Sequence, residues 1–305
     1  MSFASGIGRV NIDLLYSGLP RMPHPGEELY STGFSLQLGG GVPATLVNLS
    51  RLGVPVRILT WLGEDQFSSF AKGEFERCGA EPINLYTGNG MPVNLSTAVL
   101  TPGERTFISY TDGIGSEDGL LERAYDAMRG ARILEMNPDG PLEVYRQLKK
   151  DGTILVLDMG WDEEMCFEKY HDFLELADYY TPNLPESLRI TGEDTPERAA
   201  RALERYFDHV IVKLDKGGCL IREEGREHVI SSLSVPFADS TGAGDAFLSG
   251  LLYGLYHGSS FAQSVLYGNI TGGKCVTAIG CLSAYCTEDE LLQTAAEHAH
   301  FLPNW

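Results

Sequence analysis

Basic residues are scarce in this chain. Its 305 residues include 23 Lys and Arg against 42 Asp and Glu, which gives a net charge of −19 at pH 7. Because nucleic-acid binding depends on many Lys and Arg contacts with phosphates, this balance argues against a nucleic-acid partner. The negative surface also repels anions at long range, so an anionic ligand needs local groups such as helix N-termini, a few basic side chains or a bound cation.

Paired cysteines and long apolar segments are missing as well. The six cysteines form no CxxC pair, which indicates free thiols in a reducing cytoplasm rather than disulfides or a zinc site. The N-terminus lacks the basic region and the apolar length of a signal peptide. Residues 246–273 carry no charge, but their six glycines, one His and one Asn favour a pair of buried helices over a membrane span.

Several well-known site motifs are also absent. There is no GxxxxGK[ST], so a P-loop is not expected, and no GxSxG or Cys/His pattern favours a hydrolase. The seven histidines show no HxxxH spacing, and apart from the His298/His300 pair they are scattered, which argues against a transition-metal site. The short GIG at 6–8 lacks the third glycine of a dinucleotide-binding turn, and we interpret it as part of the first strand.

Short β-rich runs alternate with helical stretches along the chain. The helical stretch Thr195–Tyr206 starts with an N-capping Thr and a Pro at the first helical position. Strands that alternate with helices predict a mostly parallel sheet covered on both faces. The predicted strands are Gly6–Leu15, Val56–Leu62, Ile133–Met136, Ile154–Asp158, Tyr179–Thr181 and His209–Leu214.

Two regions interrupt this alternation. Glu27–Leu38 and Val93–Tyr110 have the alternating polarity of extended strands, and the second contains a hairpin turn, TPGER, at 101–105. Antiparallel strands inserted into an α/β chain often form a lid or an oligomer contact. We therefore predict a single domain over residues 1–305 with lid segments at about 14–38 and 93–112.

The most informative segment is DSTGAGDAF, at 239–247. A Gly-Ala-Gly turn that leads into a helix lets an anion approach the free backbone N–H groups at the helix N-terminus. Gly242, Ala243 and Gly244 can thus stabilise the charge of a transferred phosphoryl group, while Asp245 accepts a proton from an attacking hydroxyl. The alternative is a structural glycine turn followed by an N-capping Asp.

The full nine-residue string resembles a motif of the ribokinase-like (PfkB) sugar kinases, D-T-x-G-A-G-D-x-F. Other segments resemble motifs of this family in the family's order: NID at 11–13, LGGGVPATLVNLSRLG at 38–53, WLGEDQF at 61–67, TPNLPESLRITG at 181–192 and VIVKLDKGGCLI at 210–221. The resemblance implies a three-layer α/β sandwich with a small β-sheet lid. It also implies an ATP- and Mg²⁺-dependent kinase that phosphorylates a hydroxymethyl group of a sugar or sugar acid.

The same resemblance assigns substrate-binding residues. Asp13 matches the family's sugar-binding Asp, and Gly40 and Gly41 lie in the Gly-Gly turn beside it. Asn137 either faces the substrate or begins the turn NPDG. Arg105 either reaches a sugar or phosphate from the lid or is a solvated charge of the hairpin.

Nucleotide and metal contacts follow in the same way. Asn183 and Glu186 match an N-x-x-E motif that orders Mg²⁺ and phosphates, with Glu186 acting on the metal through water. The segment with Lys213, Asp215 and Gly218 is implied to meet adenine and ribose, and Asn269 either lines the adenine pocket or only packs. The resemblance also admits a K⁺ site, formed by Asp239, Thr241 and the loop 278–283 around Gly280.

Three departures from the family pattern concern recognition. Ala44, or Thr45 after a one-residue shift, stands where a sugar-contacting Asn is usual. LDMGWDE at 157–163 lacks the D-x-N-x-R pattern of fructokinase-like members, and Asp215 replaces a usual Gly. The catalytic string itself is intact.

Two alternative functions stay open. One is a nucleoside or vitamin-precursor kinase of the same family, in which Phe34, Leu36 and Tyr110 offer an apolar slot. The other is a catalytically silent sugar-binding homologue, although an intact GAGD argues against it.

A homodimer through the lid strands is also predicted, because exposed strand edges need cover. The apolar residues available for that contact are Phe34, Leu36, Leu95, Val99, Phe107 and Tyr110.

Overall fold

The computed structural model describes residues 2–114 and 119–305. Over these ranges the strands are β1 (Phe3–Ile7), β2 (Asn11–Ser17), β3 (Gly33–Gly39), β4 (Val56–Thr60), β5 (Glu81–Asn84), β6 (Asn94–Thr101), β7 (Glu104–Tyr110), β8 (Ala131–Met136), β9 (Ile154–Leu157), β10 (Tyr179–Tyr180), β11 (His209–Lys213), β12 (Cys219–Glu223) and β13 (Arg226–Ile230). The helices are α1 (Gly41–Arg51), α2 (Gln66–Cys78), α3 (Leu120–Met128), α4 (Leu142–Lys150), α5 (Phe167–Leu176), α6 (Leu184–Thr191), α7 (Pro196–Leu203), α8 (Ala243–His257), α9 (Phe261–Cys275) and α10 (Glu288–Glu297).

Six strands form the central sheet, in the order β10-β9-β8-β1-β4-β5, and every neighbouring pair is parallel. Successive residues of these strands enter two different apolar cores. In β4, for example, Ile58 packs on one side of the sheet and Leu59 on the other. A strand that is buried on both faces needs a continuous apolar sequence, which explains the β-rich runs.

Helices cover both faces of this sheet. Buried side chains of α1, α2, α8, α9 and α10 share one core, and those of α3 to α7 share the other. The predicted three-layer sandwich is therefore confirmed. The uncharged segment 246–273 forms α8 and α9, which pack closely against each other through small residues such as Gly250 and Gly254. No helix in the described part of the chain is long and apolar enough to span a membrane.

The start of α7 agrees with the sequence prediction. The Thr195 hydroxyl accepts a hydrogen bond from the Arg198 N–H, and Pro196 is the first residue of α7, as predicted.

A three-stranded antiparallel sheet, β11-β12-β13, continues beyond the edge of the central sheet, where a parallel bridge joins Asn183 to Lys213.

A third sheet, here called the lid sheet, has the order β3-β2-β6-β7, with a parallel β2–β6 pair between two antiparallel ones. The prediction of one strand over Gly6–Leu15 was wrong. The chain leaves the central sheet after Ile7 and enters the lid sheet at Asn11, so this run is two strands. Of Glu27–Leu38, only the part from Gly33 onward is a strand, whereas the hairpin turn at 101–105 is confirmed.

Candidate active site

Polar side chains collect where the parallel strands end. Glu135 lies near the end of β8, Asp158 directly follows β9, and Asn183 follows β10. Lys213 is the last residue of β11, beside Asn183. Ligands of open α/β sheets bind at these carboxyl ends, so this edge is the expected place for a site.

The N-terminus of α8 opens onto the same edge. Gly242 has a φ of 76°, and no side chain caps the first turn of the helix. A Cβ added to Gly242 would lie 2.1 Å from the Cβ of Cys281, whereas one added to Gly244 would meet only the Lys213 Nζ, at 3.9 Å. The space beside Gly244 is therefore open, as a phosphate-binding helix N-terminus requires, whereas the Ala243 N–H donates to the Ser240 carbonyl at 3.2 Å.

Asp245, in the first turn of α8, has a carboxyl group whose pKa lies close to neutral pH. Its pKa is raised to about 7, mainly by burial and then by the negative charge of Asp158. The ammonium group of Lys213 acts in the opposite direction, and Asp13 raises the pKa further. A carboxylate whose pKa lies near neutral pH is well suited to take a proton.

Lys213 links the strand ends to α8. Its Nζ lies 3.4 Å from Asp158 Oδ1 and close to Gly244. Burial lowers the pKa of Lys213, but the carboxylates of Asp158 and Glu186 outweigh that effect, so the net shift is upward. The side chain therefore stays protonated and presents a positive charge beside the open N–H groups.

Asp13 reaches the site from the lid sheet. It is 9% exposed, and its Oδ1 accepts a hydrogen bond of 2.5 Å from Asn11 Nδ2. Burial raises the pKa of Asp13 to about 6, and the bond from Asn11 opposes this shift. Asn11 in turn accepts a hydrogen bond from Ser96 on β6, so neighbouring lid strands fix the carboxylate.

The start of α1 is also open. Gly40 has a φ of 95°, and a Cβ there would lie 2.5 Å from the Arg9 carbonyl oxygen, so only glycine fits. A Cβ on Gly41 would meet nothing within 4 Å, which leaves space for a ligand. Ala44 and Thr45 are fully buried, so neither offers the surface that the missing Asn would have offered.

Two of the predicted ligand contacts are made to protein instead. Asn137 donates to the Ile7 carbonyl and accepts from the Asp139 N–H, so its contacts favour the turn alternative. Asn269 donates to the carbonyls of Ile230 and Ser231, and its Oδ1 accepts from Cys219, so its contacts favour packing.

Asn183 and Glu186 form a capping box at the start of α6. The Asn183 side chain accepts from the Glu186 N–H, and Glu186 accepts from both the backbone N–H and the amide of Asn183. Burial raises the pKa of Glu186, and Lys213 opposes that shift. These reciprocal hydrogen bonds fix Asn183 and Glu186 next to Lys213.

The turn before β12 accommodates an uncommon residue. Asp215 has a φ of 54°, the left-handed region in which glycine is favoured. Gly218 has a φ of 90°, and a Cβ there would lie 2.1 Å from the Ile230 carbonyl oxygen. A glycine would adopt this conformation at position 215 without strain, whereas Asp215 adopts it with a side chain.

Arg105 does not point freely into the site. Its Nη1 lies 2.6 Å from Asp239 Oδ1 and also donates to the Thr241 hydroxyl. Asp239 Oδ2 accepts from the Gly280 N–H at 3.0 Å. The three residues assigned to a K⁺ site are therefore brought together, and the lid arginine binds to two of them.

Sequence reasoning missed Asp158 and Glu135 as site residues. The pKa of Glu135 is raised well above its ordinary value by burial and by the charges of Asp158 and Asp245. Both residues had a signal in the sequence, since each is an acid within or directly after an apolar strand that predicts a parallel sheet.

The edge of the three-layer sandwich thus brings together an acid with a near-neutral pKa, an open helix N-terminus and a fixed lysine. This combination is that of a phosphotransferase that acts on an alcohol group. The pattern of the pfkB family carbohydrate kinases matches residues 3–288. The chain therefore belongs to the pfkB family of carbohydrate kinases.

Individual relatives agree with this assignment. Ribokinase of Haemophilus influenzae is 25% identical over 305 residues, which cover 96% of this chain and 98% of the relative. A 5-dehydro-2-deoxygluconokinase of Clostridium perfringens is 25% identical over 306 residues, which cover 90% and 87%. The structure of Arabidopsis thaliana ribokinase complexed with ribose and ATP has the same fold, with a TM-score of 0.77, 21% identity and coverage of 96% and 98%.

Proposed function

We propose that this chain transfers the γ-phosphate of ATP to a hydroxymethyl group of a sugar or sugar acid, with Asp245 as the general base. The observation that carries the proposal is the raised pKa of Asp245, about 7, at the open N-terminus of α8. Asp245 takes the proton of the attacking hydroxyl, and the backbone N–H groups of Gly242–Asp245 stabilise the charge of the transferred group.

Neighbouring side chains complete the nucleotide site. Lys213 lies beside Gly244, where it neutralises phosphate charge, and the capping box of Asn183 and Glu186 fixes a carboxylate near it. In the described residues no group of three His, Cys, Asp or Glu side chains is arranged to hold a metal. The fixed carboxylate of Glu186 fits Mg²⁺, which usually keeps several waters and binds through phosphates and one or two carboxylates. When bound, Mg²⁺ neutralises phosphate charge.

The substrate binds between the lid sheet and the carboxyl edge of the central sheet. Asp13 accepts hydrogen bonds from substrate hydroxyls, and the open surface at Gly41 admits the substrate beside it. The relatives named ribokinase and 5-dehydro-2-deoxygluconokinase support a sugar or sugar-acid substrate. A cytoplasmic location is part of this proposal and is supported by six free cysteines, all of them described.

The test is ADP release from Mg·ATP across a panel of pentoses, hexoses, sugar acids and nucleosides. We expect release that depends on a sugar or sugar acid and is lost in Asp245→Asn. The matched control is Asp172→Asn, which changes an exposed acid of α5 that pairs with Arg146 on α4. ADP release that no member of the panel stimulates would contradict the proposal, and a clear preference for nucleosides would favour the alternative kinase.

A further inference from the structure

We propose that the Arg105 guanidinium takes the place of a monovalent cation beside the anion hole, so that the lid supplies this positive charge and phosphoryl transfer does not require K⁺. The inference rests on the proposed kinase function and concerns how its active site is charged. Its basis is an ion pair between the tip of the lid and the loop that leads into α8.

The contact joins two distant parts of the chain. Arg105 follows the hairpin turn between β6 and β7, at the far end of the lid sheet. Its Nη1 lies 2.6 Å from Asp239 Oδ1 and also bonds to the Thr241 hydroxyl. The guanidinium also lies over the Phe107 ring, 5.2 Å from its centre, which restricts its position.

Asp239 is built to receive a cation. It is 9% exposed, and its Oδ1 accepts bonds from the Thr241 N–H at 3.1 Å and the Thr241 hydroxyl at 2.9 Å. Its Oδ2 accepts from the Gly280 N–H. Burial raises the pKa of Asp239, but these hydrogen bonds and the charge of Arg105 outweigh it and lower the pKa, so the carboxylate stays charged.

A K⁺ ion does not fit this arrangement. The oxygens that it would need on Asp239 and Thr241 are the two that bond to Arg105, and a separation of 2.6 Å leaves no space between Arg105 and Asp239. The lid closes the other side of the loop as well. Gln37 on β3 donates to the Ile279 carbonyl at 3.3 Å, and a Cβ on Gly280 would lie 1.9 Å from Gln37 Oε1.

The position of this charge matters for transfer because Thr241 directly precedes Gly242. A positive charge here increases the potential at the N-terminus of α8, where negative charge gathers. The charge arrives with the lid, so it is present only while the hairpin lies on the loop. An ion from solution would provide the same charge without any dependence on lid position.

The first experiment compares initial rates in KCl and in tetramethylammonium chloride at equal ionic strength. The wild-type protein should work equally well in both salts, within about twofold. Arg105→Gln should lose at least about tenfold in tetramethylammonium, as expected for the loss of one nearby charge, and should recover when K⁺ is added. The matched control is Arg21→Gln, which removes another lid-region arginine that pairs with Glu27 and should change neither rate.

The second readout does not depend on activity. In Arg105→Gln the oxygens of Asp239 and Thr241 become free, so K⁺ should bind and raise the midpoint of thermal unfolding relative to tetramethylammonium. The wild type should show no such difference. If no sugar stimulates ADP release in any salt, the proposed kinase function fails, and this thermal comparison still decides the role of Arg105.

Two results would overturn the inference. One is a wild-type protein that K⁺ stimulates tenfold or more over tetramethylammonium. The other is an Arg105→Gln variant in which K⁺ changes neither the rate nor the unfolding midpoint.

Discussion

At the scale of single residues, the site depends on how three carboxyl groups share one lysine. Lys213 interacts electrostatically with Asp158, Asp245 and Glu186. Because these groups are shielded from water, solvent screens their charges only weakly. The pKa of Asp245 therefore reports on its neighbours as much as on its own burial.

Replacement of Asp245 by Asn should remove the general base while nearly preserving its size. We expect kcat to fall by at least about 10²-fold, which is typical of a general base, with the Kd for ATP little changed. Rate and nucleotide-binding measurements, with Asp172→Asn as control, check this. A variant that keeps a near-wild-type kcat would show that Asp245 is not the base.

The same replacement should stabilise the protein. The pKa of Asp245 in the folded state, about 7, lies above its ordinary value of 3.8, so stability is lost as the pH rises through this interval. At pH 8 the wild type carries a half-buried charge that Asn lacks. We expect the unfolding midpoint of Asp245→Asn to exceed that of the wild type by at least about 2 °C at pH 8. The difference should shrink at pH 5, and an equal or lower midpoint at pH 8 would contradict the assignment.

The pH profile offers an independent check. Because the base must be deprotonated, kcat/KM should fall as the pH drops below about 7. Asp158→Asn removes a negative charge that raises the pKa of Asp245. It also removes the ion pair between Asp158 and Lys213, and the positive charge of Lys213 lowers the pKa of Asp245. The acid limb should therefore move to lower pH in Asp158→Asn and stay in place in Asp172→Asn. A shift in the opposite direction would exclude this electrostatic account.

The sequence predicts some of these residues and not others. Asp245 lies in a contiguous motif, so the local sequence is sufficient to identify it as a candidate base. Asp158 and Glu135 act through proximity to α8, which is distant in the chain and lies beside them only in the fold. Arg105 was recognised as a candidate, but its partners, Asp239 and Thr241, depend on how the lid hairpin lies on the body.

At the scale of elements, the N-terminus of α8 is the main feature. Two of its glycines have different roles, because Gly242 is required by a φ of 76° and by contact with Cys281, whereas Gly244 has open space above it. A substitution at Gly242 therefore disturbs folding, and one at Gly244 tests the anion hole alone.

Gly244→Val should abolish phosphoryl transfer and leave the fold intact, because the added side chain fills the space that a phosphate would occupy. Gly73→Val is the matched control, since Gly73 lies in α2 and a Cβ there also meets nothing within 4 Å. Initial rates and thermal unfolding of both variants are the measurement. Normal kinetics in Gly244→Val would remove the anion-hole assignment.

Elements with local signals were predicted well, and those that depend on distant pairing were not. The N-cap and first residue of α7 follow from Thr195 and Pro196 alone. The change from β1 to β2 was missed because the apolar alternation continues through residues 8–10 without a proline. The pairing of β2 with β3 and with β6, both later in the chain, shows that Asn11 belongs to another sheet.

At the scale of the whole molecule, the outer surface of the lid sheet is open. Every residue of β7 is exposed, including Ile108 at 68% and Tyr110 at 52%, and Phe34 on β3 is 57% exposed. An exposed apolar strand at a sheet edge favours association, and a two-fold pair is the commonest outcome.

We therefore predict a homodimer through the lid sheet. Light scattering at micromolar concentration should give about twice the chain mass of 33.4 kDa. Ile108→Lys should shift the protein towards the monomer, because the introduced charge would have to lose its water in the contact. Leu121→Lys, at a residue of α3 that is 51% exposed, is the control and should not. A wild-type mass equal to one chain would contradict the prediction.

The position of β1 in the middle of the central sheet has a consequence for biosynthesis. Its residues precede both of its partners in the chain, since one edge pairs with β4 and the other with β8, which begins at Ala131. During translation, that second edge stays without its native partner until β8 has left the ribosome. Pairings between distant segments slow folding, and unpaired edges favour aggregation. The nascent chain therefore passes through an interval in which association with other chains competes with folding.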